Sequence, residues 1–215
     1  MKVRKSGIAT KIFIAVIALL VISDGLIGAL AYNRAKNLLV SQIKDNAKNI
    51  VSCIGASVDG SLFASINEGD EGSDDYNKVL DVLALYRDNS GVEYVYTIVL
   101  DDAGVPVFAV DSDPEEPAGI GEEFGDTSDD VMSAFAGETT VNQEPYTDEW
   151  GTHISAFSPI YDGGKVAALA VVDLSVNWVN QQTKSLLVLI VVICAIVLAV
   201  GVLLLFVISR ILRKG

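Results

Sequence analysis

The sequence predicts an α+β domain, a long N-terminal helix and a five-stranded antiparallel sheet, carried between two transmembrane helices. Three observations lead there. Two apolar stretches, 12–32 and 186–208, are each long enough to cross a hydrocarbon core, which takes roughly 20 helical residues. The region between them holds 27 Asp and Glu against 8 Lys and Arg, although the whole chain is 51% hydrophobic. Within that region helical periodicity gives way, after residue 92, to β-branched and aromatic runs separated by turn residues.

Composition removes several classes of function. A chain of 215 residues allows one or two domains. A net charge of −13 lacks the basic footprint that nucleic acid requires. Mean hydropathy of +0.43 is too apolar for a disordered chain. Cys53 falls in the acidic region and Cys194 in the second apolar stretch, so they do not pair. Cys53 is read as an unpaired cysteine, the alternative being a cross-link between two chains.

The elements follow in order. Residues 1–11 carry Lys2, Arg4, Lys5 and Lys11 and no acid; beyond the second span stand Arg210, Arg213 and Lys214. Positive charge stays inside, so both termini (1–11 and 209–215) are expected in the cytoplasm and 33–184 outside. Ala29-Leu30-Ala31 offers a signal-peptidase pattern, but the apolar run exceeds the usual length of about 7–15 residues, which favours an uncleaved anchor. Asp24 is the one charge inside the first span. It is read as pairing at a helix contact or reaching the interface, with proton chemistry as the alternative.

Outside, Leu39, Ile43, Ala47, Ile50, Ile54 and Val58 recur at helical spacing, giving a helix over 33–66 that continues from the first span. A second helix fits Tyr76, Val79, Leu80, Leu83 and Tyr86. Strands are expected at 92–100 and 105–110, then a polar loop over 111–126. A short helix follows, started by Thr127 with Asp130 and ended at Gly137. Three further strands cover 139–142, 152–161 and 165–173, and a helix runs from Leu174 into the second span.

Three segments resemble a known family: VEYVYTIVL, VFAVDSDPEEPAGIGEEF and TDEWGTHISAFSPIYDGGKVAALAVVDLS. They resemble the single Cache domain, a PAS-like extracytoplasmic sensor of bacterial and archaeal receptors, over roughly 35–184. The resemblance implies a PAS-like sheet, a homodimer, a small-molecule ligand and a cytoplasmic signalling output, chemotaxis above all. SRILRKG at 209–215 resembles the opening of a HAMP linker. Gly121-Glu122-Glu123-Phe124 resembles the tail of a diguanylate cyclase signature, but Ile120 replaces its other glycine and the segment lies outside the cell.

The family's ligand lies on the sheet under the loop that follows the second strand. Carried over, the resemblance implies contacts from Tyr94, Tyr96, Asp111, Trp150, His153 and Asp173. Tyr94 and Tyr96 share a face by alternation, and Asp173 matches an aspartate that holds a ligand's amino group in double Cache domains. Sheet core for the tyrosines, a turn plug for Trp150, a structural role for His153 and a helix cap for Asp173 are the alternatives.

Charge adds a preference. No Lys or Arg occurs between Arg87 and Lys165, whereas 18 acids lie from Asp88 to Asp162. Carboxylate ligands are usually gripped by Arg or Lys, so an amine-bearing or neutral ligand is favoured over a dicarboxylate. Asp111, Asp113, Glu115 and Glu116 offer oxygens for Ca²⁺, but without EF-hand spacing a solvated acidic loop is the preferred reading. No motif of catalysis is present, and no cofactor, metal site or enzymatic activity is expected. The chain reads as the sensing and membrane-spanning part of a receptor in the cell membrane. The alternatives are the sensor region of a histidine kinase or diguanylate cyclase, or an interaction module without a ligand.

Overall fold

The computed structural model describes residues 8–143, 145–147 and 152–212. Residues 1–7 of the expected cytoplasmic arm 1–11, Trp150 and the basic pair Arg213 and Lys214 lie outside the described residues. Two compact units emerge, Val40–Asn180 and a helical unit drawn from both ends of the chain.

In the helical unit, helix α1 (Ile8–Ser57) and helix α4 (Val176–Leu212) contribute their apolar parts. Lys11–Ser57 and Val179–Ile208 hold stretches long and apolar enough to cross a membrane. The two helices touch where glycine leaves room. A Cβ on Gly28 would stand 2.8 Å from Cys194 Sγ, and one on Gly201 would stand 3.2 Å from Leu20. Asp24 meets this contact through its carbonyl oxygen, 3.9 Å from Cys194 Sγ.

The other unit is built on a sheet. α1 ends at Ser57, earlier than the periodicity predicts, because Asp59 starts a separate 3-10 helix, Gly60–Ser65. The Asp59 carboxylate accepts from Ser61 N at 3.0 Å, a local bond that competes with helix continuation. Helix α2 (Asp74–Ser90) is capped by Ser73, which accepts from Tyr76 N, and stops at Gly91, whose φ of 70° is left-handed. Strands β1 (Tyr94–Leu100) and β2 (Pro106–Asp111) follow, then helix α3 (Asp129–Phe135). Strands β3 (Thr140–Val141), β4 (Tyr146–Thr147), β5 (Thr152–Asp162) and β6 (Lys165–Ser175) complete the sheet.

The strand order is β2-β1-β6-β5-β3, all antiparallel, with β4 as an added two-residue partner of β5 that the sequence does not predict. Three details differ from expectation. α3 begins after Ser128, not Thr127, and Asp126 turns back to accept from Ser128 N at 2.8 Å. β6 runs on to Ser175 because Leu174 pairs with Ile154 and is buried, so α4 starts later than Leu174. The loop after β2 is irregular, as its polarity implies, but it doubles back along β2: Gly121 N donates to Phe108 O at 2.8 Å and Phe124 N to Pro106 O at 3.0 Å.

Alternation divides the sheet into two faces. One meets the long helices, and Val51, Ile54, Val79 and Leu83 are completely buried. The other carries α3, whose Val131 and Ala134 join Tyr96, Ile98, Phe124, Phe157, Leu169 and Val171 in one cluster. A bulge between Thr97 and Ile98 breaks the β1–β2 register. Thr97 Oγ1 repairs it, accepting from Val110 N at 3.0 Å and donating to Val110 O at 3.2 Å.

Gly60 sits against the β5–β6 turn. A Cβ there would overlap the Tyr161 carbonyl and lie 3.0 Å from Asp162 N, both backbone atoms that cannot rotate away. Gly60→Ala is expected to destabilise the domain by about 1–3 kcal/mol, as overpacking generally does. A thermal melt of the full chain in detergent checks this, and an unchanged melting temperature would show that the contact is loose.

Candidate ligand-binding site

Register brings the site together. Tyr94 stands opposite Asp173, and Tyr96 lies between Val171 on β6 and Asp111 on β2. Across β6, Asp173 is opposite Ser155 and Ser175 is opposite His153. Directly opposed residues share a face, so Tyr94, Tyr96, Asp111, His153 and Asp173 all stand on the face that carries α3. Trp150 lies outside the described residues.

Tyr96 donates its hydroxyl to Asp173 Oδ2 at 3.0 Å, with both side chains buried. Asp173 therefore belongs to the strand ladder, three residues before α4 begins, and is not the helix cap that the sequence left open. Beside it lies a cavity lined by Tyr94, Tyr96, Phe108 and Ala118 and by four acidic residues, Asp111, Asp113, Glu116 and Asp173. Its enclosed space is about 20 Å³, room for roughly one water. Any larger ligand enters only if a wall moves.

One wall is the loop after β2. Asp111 Oδ2 accepts from Ala118 N at 2.9 Å and Oδ1 accepts from Asp113 N at 3.0 Å, so one carboxylate ties both ends of 113–118 down. Burial pushes the Asp111 carboxyl above its ordinary 3.8, while the Ala118 and Asp113 amides pull the other way. Asp113 is engaged too, accepting from Glu115 N at 2.8 Å. Among the described residues, no three His, Cys, Asp or Glu side chains are grouped to hold a metal ion. Of the four acids of that loop, Asp111 and Asp113 accept from backbone amides.

His153 stands behind the cavity wall. It is 3% exposed and meets the Tyr94 ring edge-on at 5.4 Å. Its Nδ1 lies 3.3 Å from Glu93 Oε2, within ion-pair reach but off the line of a hydrogen bond. Tyr96 packs on Phe108, itself a wall, at 5.2 Å and on Phe124 at 5.8 Å, so aromatic contacts hold both tyrosines in place. The sequence did not mark Phe108 and Ala118 as lining residues. Phe108 could have been found from alternation with Asp111 only if the β1–β2 bulge were known, and Ala118 is brought to the site by the bond from its N–H to Asp111.

No family model matches the chain, and no curated protein sequence matches it either. Solved structures do. The sensor domain of the histidine kinase DctB from V. cholerae superposes with a TM-score of 0.55 at 13% identity, over 76% of this chain and 58% of that one. The chain shares the PAS-like fold of that domain. The ligand-binding domain of the Campylobacter jejuni chemoreceptor Tlp3, solved with 4-methylisoleucine, aligns at 16% identity and a TM-score of 0.48, covering 81% of this chain and 63% of that one. The sensor domain of E. coli DcuS aligns at 16% identity and a TM-score of 0.40, over 64% and 98%. The chain thus spans about three fifths of the DctB and Tlp3 domains it matches.

Two measurements probe the site. Tyr96→Phe takes a donor from the buried Asp173 carboxylate and is expected to lower stability by about 1–3 kcal/mol, read as a fall in melting temperature. Asp111 answers to pH. Its raised folded-state pKa means that its stabilising contribution is complete below the unfolded value and is lost as pH rises through the folded value. Relative to wild type, Asp111→Asn should therefore gain stability as pH is raised from about 4 to 7. A difference in melting temperature that ignores pH would show Asp111 to be solvated.

Proposed function

We propose that the chain is the ligand-sensing and membrane-spanning part of a sensory receptor, with 33–184 outside the cell and both termini in the cytoplasm. The observation that carries this reading is the small cavity lined by two tyrosines and four acidic residues on the sheet of a sensor-type fold. α1 and α4 support it, since each helix contains both residues of the sheet-bearing unit and an apolar stretch long enough for a membrane. Ligand binding favours one arrangement of the sheet and its loop, and moves the terminal helices by about an ångström or two, a common scale for switching at helix interfaces. The ligand shifts that equilibrium only through its different affinity for the two states. Homodimer formation and a chemotaxis-type output complete the proposal. A kinase-type output is the second reading, and the fold shared with the DctB sensor domain favours it.

The same cavity favours an amine-bearing or neutral ligand. Its walls contain four acids and no Lys or Arg. Arg87, the nearest base in sequence, is engaged with Asp88 at 2.9 Å. A thermal-shift screen of the full chain in detergent should include amines, amino acids and dicarboxylates. A ligand at 100 times its dissociation constant adds about 2.7 kcal/mol of stability. The expected hit is an amine whose effect disappears in Asp173→Ala; micromolar binding of a dicarboxylate would overturn the charge preference. For topology, a membrane-impermeant thiol reagent applied to intact cells should label Cys53, which is exposed on α1, and leave Cys194 untouched. Labelling of Cys53 only after lysis would reverse the orientation.

A further inference from the structure

Charge is segregated within the region between the two apolar stretches. Residues 45–173 hold all 27 of its Asp and Glu but only four of its eight Lys and Arg. The flanks beside the spans, 33–44 and 174–184, hold the other four bases, Arg34, Lys36, Lys44 and Lys184, and no acid. Lys44 is engaged, its Nζ donating to the Gln143 carbonyl at 2.8 Å. Arg34, Lys36 and Lys184 are exposed, and among the described residues their side chains have no ion pair or hydrogen bond. Lys78 and Arg87, by contrast, are paired with Asp75 and Asp88.

The three free cations all belong to the helical unit, and helix geometry sets them level. α1 and α4 run antiparallel there, with Gly28 against Cys194 and Leu20 against Gly201. At about 1.5 Å per residue, Arg34 and Lys36 lie roughly 9 and 12 Å beyond Gly28 along the axis. Lys184 lies roughly 15 Å beyond Cys194 in the same direction, so the three share a band about 6 Å deep. Arg34 and Lys36, two residues apart, sit about 200° apart around α1. No single pocket gathers cations placed on opposite sides of a helix, whereas a plane of anions meets them all.

The opposite ends of the helices agree with such a plane. Lys11 and Arg210 are exposed, and lie roughly 24–26 Å from the same Gly28–Cys194 contact in the other direction. The two levels of positive charge are thus about 33–41 Å apart, which leaves room for a hydrocarbon core about 30 Å thick with a headgroup layer at each side. The first acid on α1, Asp45, stands roughly 13–14 Å beyond Lys36, farther than the reach of about 10 Å that salt leaves to exposed charges. A membrane surface at this level therefore meets the cations and not the acids of α1.

We propose that Arg34, Lys36 and Lys184 form a docking ring for anionic lipid headgroups of the outer leaflet. This rests on the membrane-spanning reading of the chain and gives it a partner. Positive charge ordinarily concentrates on the cytoplasmic side of spans, so the ring departs from that bias as well as from the acidity of residues 45–173. Juxtamembrane Lys and Arg attract anionic headgroups through charge that salt screens.

The test is electron spin resonance of spin-labelled phosphatidylglycerol and phosphatidylcholine in vesicles carrying the full chain, which reads the selectivity of the lipid shell. The wild-type chain should prefer phosphatidylglycerol by about three-fold or more, and NaCl at about 1 M should shrink the preference. Arg34→Gln, Lys36→Gln and Lys184→Gln combined should lower it by about two-fold or more, while Arg34→Lys should keep it. Gln suits exposed helix positions, and retention on carbonate washing shows that each variant is still inserted. A preference that survives the triple substitution in an inserted chain, or no preference in the wild type, would overturn the ring alone. Release of the wild-type chain by carbonate would overturn the membrane-spanning reading together with it.

Discussion

β6 is the strand on which the remaining structure is assembled. It pairs with β5 from Lys165 to Ser175 along one edge and with β1 from Leu169 to Asp173 along the other, and then passes directly into α4. Strict alternation along it fixes what each face receives. Leu169 and Val171 go to the cluster under α3, Ala170 and Val172 to the side of the long helices, and Asp173 arrives on the α3 face one step from the strand's end. A slip of one residue would exchange these faces, burying Asp173 among aliphatic side chains without Tyr96. The extensive apolar pairing on both sides of β6 holds the carboxylate where it is.

Much of this was legible in the sequence because it depends on short-range pattern. The helix period predicted buried Ile43, Ala47, Ile54 and Val58 on α1 and Val79 and Leu83 on α2. Period-two spacing put Tyr94 and Tyr96 on one face, and Asp162-Gly163-Gly164 marked the β5–β6 turn. The failures lie where two patterns compete or where a partner decides. The stretch Leu174–Ser175 reads equally as strand end or helix start, and only its pairing with Ile154 and His153 settles it. The return of 119–124 along β2 is a matter of backbone bonds, which polar side chains do not announce. Asn142 looked like the end of a strand, and its place beside Ser155 required the register of β3.

Acidity takes on a different meaning once the loops are in place. In the sequence the run from Asp111 to Asp130 is a block of like charge. In the folded chain many of these groups act as local staples: Asp111 fastens Ala118, Asp113 fastens Glu115, Glu122 fastens Gly119 at 3.0 Å and Asp126 fastens Ser128. Each carboxylate satisfies backbone donors that an irregular segment would otherwise leave unmatched. The negative potential around the cavity is thus a by-product of how its cover is tied, and an arriving cation meets a field already present.

The segment folded back over β2 has a further effect at the rim of the sheet. An exposed outer strand is a template to which another chain can add, and proteins blunt such margins by covering or shortening them. Here Glu122, Gly121 and Phe124 occupy backbone groups of β2, and the opposite margin consists of two strands of only two residues each. Both borders are thus blunted among the described residues. Addition of a strand from another copy is thereby discouraged at both margins.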